Sequence, residues 1–327
     1  MLDSVSTSNP DLIPWLLAGD DPSARFFALT ELLGGATDAA AARRAIMTTG
    51  AVPAILAAQD DDGHWEGRDR FYTAKYRGTV WQLIILAELG ADGGDERVRR
   101  GCEAILRDAQ DRGSGGFARD RSKKTGGGLH GRVVPCLTGN LVWSLIRLGL
   151  LGDQRVQAGI DWLTKYMRFD DGDGAAPTGW PYDGWEMCWG RHTCHMGVAK
   201  ALKALAEIPS QRRSAEVWRT LDQGSEFMLR HHVHKRSHDL TRVSKPGWKR
   251  FGFPLMYQTD VLEILAKLGL VGDERAREAR DLVAAKQDAQ GRWKLESTFN
   301  GRFVVDIETK GQPSRWITLR ALRVLNA

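Results

Sequence analysis

The chain has 327 residues, of which 42% are apolar, with 12 Trp, 36 Gly and a formal net charge of +5. This composition supports a large buried core and excludes a disordered chain. The polar N-terminus contains no apolar run of the length of a signal peptide or membrane span, so we expect a soluble, cytoplasmic protein with no membrane span.

The clearest predicted helix covers residues 79–90. Its apolar residues fall on nearly every face, which is typical of a helix buried all round. Gly90 is the predicted C-cap. After a short turn, Asp95 begins a second helix with the acidic first turn that helix N-termini favour. The segment therefore predicts a hairpin of one buried and one outer helix.

The same arrangement returns along the chain. Further copies lie at 140–149 with 153–156, at 198–208 with 215–229, and at 260–269 with 273–276, while single helices at 24–33 and 317–325 open and close the series. The buried helices begin near residues 24, 79, 138, 194, 258 and 316. Their spacing exceeds that of a simple helical-pair solenoid, because long Gly- and aromatic-rich loops precede each buried helix.

A short motif, Gln-Asp-x-x-Gly-x-Trp, accompanies the repeat. It occupies residues 59–65 and returns at 287–293, with degenerate copies at 110–117 and 171–180. Six inner helices with outer partners predict an all-α protein, an α/α toroid of six hairpins, because a closed ring removes the open ends that a solenoid must cap. An open superhelical stack is the structural alternative.

This motif, followed each time by a buried helix, resembles the squalene cyclase and protein prenyltransferase β-subunit superfamily. The match runs from about residue 50 to 325. The resemblance implies that Gln59, Trp65, Gln287 and Trp293 tie outer helices to loops. We expect one domain overall, with toroid repeats at 51–327 and an N-terminal helical segment, 1–50, that completes the ring.

The resemblance also implies a function. It predicts a zinc-binding enzyme like a terpenoid cyclase or prenyltransferase, which acts on an apolar substrate of isoprenoid type in a central cavity. A partner subunit is compatible with this reading, as for a β-subunit. The alternative is a non-catalytic toroid that binds a lipid or peptide and carries a structural zinc site.

Three cysteines lie where inner helices are predicted to begin. Cys136 precedes the third inner helix, while Cys188 and Cys194 bracket the start of the fourth. Three thiolates and one imidazole form a complete tetrahedral zinc set, with His192 as the predicted fourth ligand and His195 in reserve. Three buried small residues are the competing interpretation.

The resemblance bears on whether this zinc site is catalytic. Prenyltransferase β-subunits hold zinc with an Asp and a Cys two residues apart and a His from a later inner helix. His192-x-Cys194 is similar to the Asp-x-Cys pair, but no His begins a later inner helix. Cys136 and Cys188 would complete the sphere, and four protein ligands make a closed, structural site.

Asp260 is the predicted general acid. Cyclases that protonate an alkene or epoxide use a D-x-D-D motif at an inner-helix entrance, which this chain lacks. Asp260 lies at such an entrance, where other copies carry Thr79, Asn140 and Thr318. An apolar cavity would raise its pKa and let it deliver a proton. An N-cap is the alternative role. Tyr257 is the second catalytic candidate.

The candidate substrate-binding residues precede inner helices. Lys75, Arg77 and Arg315 are predicted to hold an anionic diphosphate head together with helix-terminus amides. Aromatic side chains are predicted to wall the apolar pocket or stabilise a cation. The full predicted set is Lys75, Tyr76, Arg77, His130, Trp189, Arg315 and Trp316. Packing, or a salt bridge to a neighbouring repeat, is the competing interpretation of each.

Three charged loops are interpreted more plainly. Residues 230–250 are basic and hold four histidines, whereas 60–62 and 170–173 are acidic and belong to repeat loops. No carboxylate or Cys accompanies the histidines in sequence, so we interpret the basic segment as a solvated loop rather than a metal site. No aromatic-interleaved basic motif is present, and we expect no nucleic-acid partner.

Overall fold

The computed structural model describes residues 10–175 and 177–327, so residues 1–9 of the predicted N-terminal segment lie outside the described residues. The α-helices in chain order are α1 (Leu12–Leu17), α2 (Pro22–Phe27), α3 (Ala36–Ile46), α4 (Ala51–Ala57), α5 (Thr79–Glu88), α6 (Glu96–Asp108), α7 (Pro135–Arg147), α8 (Gln154–Tyr166), α9 (Glu186–Trp189), α10 (His195–Ala206), α11 (Ala215–Arg230), α12 (Val261–Leu268), α13 (Arg277–Ala285) and α14 (Arg315–Leu325). The strands are short: β1 (Lys235–Arg236) pairs with β2 (Asp239–Val243), and β3 (Trp293–Lys294) pairs with β4 (Pro313–Ser314), both antiparallel.

The inner helices form a ring in chain order. Helix α5 packs on α7, α7 on α10, α10 on α12, α12 on α14, and α14 on α2. Phe27 of α2 lies against Gly90 just after α5, which closes the ring. Between α7 and α10 the backbones approach so closely that a Cβ at Gly139 would come 2.5 Å from the carbonyl of Lys200. The predicted all-α, α/α toroid fold is confirmed.

The outer helices lie against their inner partners. Helix α6 contacts α5, α8 contacts α7, α11 contacts α10, and α13 contacts α12. In three of these hairpins, an Asp side chain caps the N-terminus of the outer helical segment. The Asp95 and Asp153 side chains accept from the backbone N–H two residues on, at 2.9 and 2.8 Å, and Asp273 does so at 2.8 Å. This capping ends the turn and begins the second helix.

The Gln-Asp-x-x-Gly-x-Trp copies make equivalent hydrogen bonds. Gln59 Nε2 donates to the carbonyls of Gly63 and Arg97, which join the motif loop to α6. Trp65 Nε1 donates to the carbonyl of Ile55 at 2.8 Å, and Trp293 Nε1 to that of Val283 at 2.7 Å. The first copy thus fixes its loop between α4 and α6, and Trp293 ties the last copy to α13.

Near the start of an inner helix, a polar side chain accepts a backbone hydrogen bond from the preceding motif loop. Thr79 Oγ1 accepts the backbone N–H of Trp65 at 3.1 Å, and Thr318 Oγ1 that of Trp293 at 3.0 Å. In the third repeat Thr138, rather than the predicted Asn140, has this role and accepts from Phe117 at 2.9 Å. The N–H groups would otherwise be buried without an acceptor.

A buried ion network links inner helices across the centre of the ring. Lys203 Nζ lies 2.6 Å from Glu88 Oε1 and 2.8 Å from Glu263 Oε1. Lys200 Nζ lies 2.6 Å from Glu263 Oε2, and Arg320 Nη2 lies 2.7 Å from Glu88 Oε2. We call these five residues the axial ion network. A pocket of about 40 Å³ lies beside it, lined in part by Trp143 and Lys267.

Among the described residues, none of the helices combines the length and the apolar character that crossing a membrane demands.

Candidate functional site

The loops that precede the inner helices converge at the end of the ring where these helices begin. They contribute aromatic rings, thiols and cations from the entrances to α5, α7, α10, α12 and α14. We call this set the mouth cluster. Its members are Tyr72, Lys75, Tyr76, Trp81, Arg119, Cys136, Trp185, Cys188, Tyr257 and Arg302. Most are half-buried, so the cluster borders solvent on one side and the apolar core on the other.

The ammonium group of Lys75 lies inside an aromatic cage. Its Nζ is 4.7 Å from the centre of the Tyr72 ring and 4.8 Å from that of Tyr257. The Trp81 ring centre is 5.5 Å away. Among the described residues, no carboxylate or hydrogen-bond acceptor engages this ammonium group. Burial lowers the pKa of Lys75, and repulsion from Arg119 lowers it further.

Two guanidinium groups join Lys75 without a carboxylate partner in the described part of the chain. Arg119 lies 3.6 Å above the Trp185 ring, and its buried Nε has no hydrogen-bond partner there. Arg302 lies 4.9 Å from the Tyr76 ring centre, and its Nη2 donates to the Lys75 carbonyl at 3.4 Å. Unpaired cations held against low-dielectric aromatic walls attract anions strongly.

The other predicted substrate-binding residues have partners of their own. Arg77 Nε donates to Glu66 at 2.6 Å. The Arg315 guanidinium lies over Trp15, 4.8 Å from its ring centre, and therefore sits against the N-terminal helices. His130 Nδ1 lies 2.7 Å from an Asp111 carboxylate oxygen.

Two predicted tryptophans lie in the core. The Trp316 ring stacks on Phe253 with ring centres 4.2 Å apart, and its Nε1 donates to Asp21 at 2.7 Å. Trp189 is buried, and its ring centre lies 5.9 Å from that of Trp162. Lys75, Tyr76 and Tyr257 are therefore the predicted catalytic and binding residues that meet at the mouth.

Two of the three predicted metal-binding cysteines, Cys136 and Cys188, belong to the mouth cluster, and Cys194 lies near both. Burial raises the pKa of Cys136, and negative charge on Cys194 and Cys188 would raise it further. Burial also raises the pKa of Cys188 to about 12. Among the described residues, the metal-capable atoms that lie within 4.8 Å of one another do not include these thiols. The Cys136, Cys188, His192 and Cys194 zinc set stays a prediction.

Asp260 caps α12 from a buried position. Its Oδ1 accepts the backbone N–H of Glu263, and its Oδ2 that of Gly252, both at 2.9 Å. Asp260 thus accepts a backbone hydrogen bond from the loop before its helix, as Thr79 does in the first complete repeat. Burial raises the pKa of Asp260 to about 6, although both hydrogen bonds act in the opposite direction. The capping role that the sequence left open is therefore present.

The fourth repeat brings together a carboxylate and several histidines. Asp171 Oδ1 lies 3.9 Å from His192 Nδ1, and Asp171 Oδ2 lies 3.6 Å from His238 Nε2. His231 Nε2 is 3.2 Å from Oδ2, and Ser237 Oγ donates to the same oxygen. Burial raises the pKa of Asp171, but these hydrogen bonds and the histidine charges outweigh it and lower the pKa to about 2.

The sequence assigns Arg302 no role, leaves Arg119 and Trp185 as broad candidates for a basic rim and an aromatic wall, and favours a solvated loop over a metal site for the histidines. Arg119, Trp185 and Arg302 lie in long loops, and no helix-period pattern indicates which way such loops fold. Asp171 was placed in a degenerate motif copy, far in sequence from His238. The usable signal was the pairing of a Gly-rich acidic loop with a histidine-rich loop on either side of one inner helix.

The chain matches no protein-family model and no curated protein. A protein from Actinoplanes of solved structure is 15% identical with a TM-score of 0.43, and the match covers 94% of this chain and 89% of that one. The type II terpene cyclase MstE from Scytonema, in its apo form, is 13% identical with a TM-score of 0.41 over 94% of this chain and 87% of its own. A variant of MstE in complex with geranylgeranyl dihydroxybenzoate is 15% identical with a TM-score of 0.40 over 87% and 81%. At these values we draw no function from the likeness.

Proposed function

We propose that the mouth of the ring binds the anionic head of an elongated apolar substrate of isoprenoid type, and that the protein is an enzyme of the terpenoid cyclase or prenyltransferase kind. The observation that carries the proposal is the convergence of Lys75, Arg119 and Arg302 without a carboxylate partner among the described residues. A diphosphate or carboxylate head supplies the missing negative charge.

The aromatic part of the cluster supports an apolar tail. Tyr76 and Phe299 stack with ring centres 3.9 Å apart, and Phe303 lies 6.2 Å from Tyr76. These rings continue from the Lys75 cage toward the core. The axial ion network crosses the centre of the ring, so the ligand would enter and leave at the mouth. Head and tail would therefore bind in a fixed order along the axis.

The proposal includes acid catalysis at this site. Asp260 is the proposed general acid, because a buried carboxyl group with a pKa of about 6 holds a proton in weakly acidic solution. Tyr257, against the Lys75 ammonium group, would orient the substrate. In an assay with an accepted substrate, Asp260→Asn should lower the rate by roughly 10²- to 10⁴-fold.

The second candidate function is non-catalytic binding of an anionic lipid. Both carboxylate oxygens of Asp260 accept backbone hydrogen bonds, so its position is explained without catalysis. The ammonium group of Lys75 also occupies the aromatic faces that would otherwise stabilise a carbocation. Under this alternative the protein retains its ligand unchanged.

Binding of farnesyl diphosphate, farnesol and inorganic diphosphate to the purified chain tests the proposal. We expect farnesyl diphosphate to bind most tightly, because it alone contacts both the cations and the apolar wall. Lys75→Met should weaken its binding by about tenfold, which corresponds to one charge-assisted contact of about 1.4 kcal/mol. Lys123→Met, an exposed lysine of the Gly-rich loop, is the matched control and should bind as wild type.

Two results would contradict the proposal. Equal affinity for farnesol and farnesyl diphosphate would show that the cations do not bind the head. Equal losses in Lys75→Met and Lys123→Met would show that only general positive charge matters. Mass analysis of the incubated ligand separates the candidates, since an enzyme converts it and a binding protein returns it intact.

A further inference from the structure

Asp171, His192 and His238 come from three separate segments of the chain and meet beside the entrance to α10. Each offers one atom, and these atoms all lie within 4.8 Å of one another. The His192 and His238 ring centres are 5.8 Å apart. This cluster lies outside the mouth cluster, and the proposed function does not use it.

The carboxylate of Asp171 is held in place before any ligand binds. Its side chain is 8% exposed, and its Oδ2 receives hydrogen bonds from Ser237 Oγ and His231 Nε2. Asp171 also has a left-handed backbone conformation, with φ of +50°. Partners on one oxygen leave the other oxygen for a ligand, and outer hydrogen bonds of this kind orient metal-binding carboxylates.

The two imidazoles complete the donor set from the solvent side. The side chains of His192 and His238 are 63% and 58% exposed, so their rings can move by the small distance that coordination requires. His192 Nδ1 and His238 Nε2 both lie 3.1 Å from the carbonyl oxygen of Asp171. Hydrogen bonding to this carbonyl is the competing role of the two rings.

Two guanidinium groups near this position are paired with carboxylates. Arg168 Nη2 lies 2.8 Å from an Asp170 carboxylate oxygen, and Arg230 Nη1 lies 3.5 Å from one of Asp173. The acidic loop 170–173 thus pairs Arg168 and Arg230 through Asp170 and Asp173 and leaves Asp171 to the histidines.

We propose that Asp171, His192 and His238 bind one divalent transition-metal ion of the zinc type. Two imidazole nitrogens and one carboxylate oxygen are a donor set that such ions accept in proteins, and three protein ligands leave a fourth position for water. The site shares His192 with the predicted cysteine set, so the two sites exclude each other when His192, rather than His195, is the fourth ligand of the cysteines.

Titration of the full chain with Zn²⁺, followed by calorimetry, tests the site. We expect one ion per chain in wild type and at least about tenfold weaker binding in His238→Ala. His232→Ala is the matched control, since it removes a histidine of the same loop outside the cluster. It should bind Zn²⁺ as wild type. Circular dichroism establishes that each variant is folded.

Co²⁺ identifies the ligands independently of affinity. With Asp171, His192 and His238 as ligands, the bound ion gives visible bands but no thiolate charge-transfer band, and Cys194→Ser leaves the spectrum unchanged. A thiolate charge-transfer band that Cys194→Ser removes would place the ion on the cysteines and overturn the proposal. Equal Zn²⁺ affinity of His238→Ala and wild type, or no Zn²⁺ binding by wild type, would overturn it as well. None of these results depends on the mouth ligand.

Discussion

Individual side chains take their roles from their neighbours rather than from their type. Lys75 and Arg77 are two residues apart and both basic, yet Arg77 pairs with Glu66 at 2.6 Å while Lys75 faces three aromatic rings. A paired guanidinium gains little from an additional anion. The unpaired ammonium group is therefore the one on which ligand binding depends.

Asp260 leads to a prediction about pH. Its pKa is about 6 in the folded protein and 3.8 as a free side chain, so the folded state binds its proton more tightly. Its contribution to the free energy of unfolding is then fully present below about pH 4 and falls as the pH rises through 6. Wild type should lose on the order of 2–3 kcal/mol over this range relative to Asp260→Asn.

Urea unfolding of both proteins at intervals between pH 4 and pH 7 measures this difference. Contributions from groups common to both proteins cancel, apart from Glu263 and Arg320, which act on Asp260 directly. A difference that stays constant or grows with pH would show that the buried carboxylate is not destabilised.

At the scale of the elements, the motif glutamines bind successive hairpins together. Gln110 Nε2 donates to the carbonyls of Gly115 and Arg155, both at 2.7 Å, and so joins its loop to α8. Gln287 donates to Gly291 at 3.2 Å. Among the described residues, the Gln287 side chain makes no second hydrogen bond of this kind.

Replacing these glutamines by leucine should therefore have unequal effects. Gln110→Leu leaves two carbonyls without their donor in a buried site and should lower the free energy of unfolding by about 1–3 kcal/mol. Gln287→Leu affects an exposed position and should cost less than about 0.5 kcal/mol. Chemical unfolding of the two variants and wild type provides the comparison, and a larger loss in Gln287→Leu would refute the interpretation.

For the whole molecule, the axial ion network joins α5, α10, α12 and α14 across the centre of the ring. A buried charge destabilises the folded state unless it is paired. Removal of one partner leaves an uncompensated buried charge on the other. Glu88→Gln should thus lower the free energy of unfolding by about 3–5 kcal/mol. Glu274→Gln breaks an exposed pair with Arg277 and should cost less than about 1 kcal/mol. Thermal and urea unfolding check both, and similar losses would mean that the network is not a central support.

The same network predicts sensitivity to acid. Burial raises the pKa of Glu88, but Lys203 and Arg320 outweigh it and lower the pKa from 4.5 to about 2. The folded state therefore binds the Glu88 proton less tightly than the unfolded state. Its contribution to stability is present above about pH 4.5 and is lost as the pH falls toward 2. Wild type should lose more stability than Glu88→Gln over this range, as measured by unfolding at each pH.

The repeat made the ring predictable from the sequence, while the pairing of charges was not. Hydrophobic period and turn residues predict helices at 79–90 and 317–325, close to the observed 79–88 and 315–325, because they act within a few residues of the chain. Those same local signals predicted that Arg315 and Trp316 lie at the mouth. In the structure, by contrast, Trp316 is buried in the core. They also gave no indication that Asp171 faces His238.

The amino-acid sequence by itself determined the all-α repeat of buried inner helices, because burial of apolar helix faces is a local property repeated along the chain. The tertiary structure alone decided which charges stay unpaired at the mouth, which charges pair across the centre of the ring, and which histidines converge on Asp171. Those outcomes depend on distances between residues far apart in sequence, and electrostatic free energy changes steeply with such distances in a low-dielectric interior.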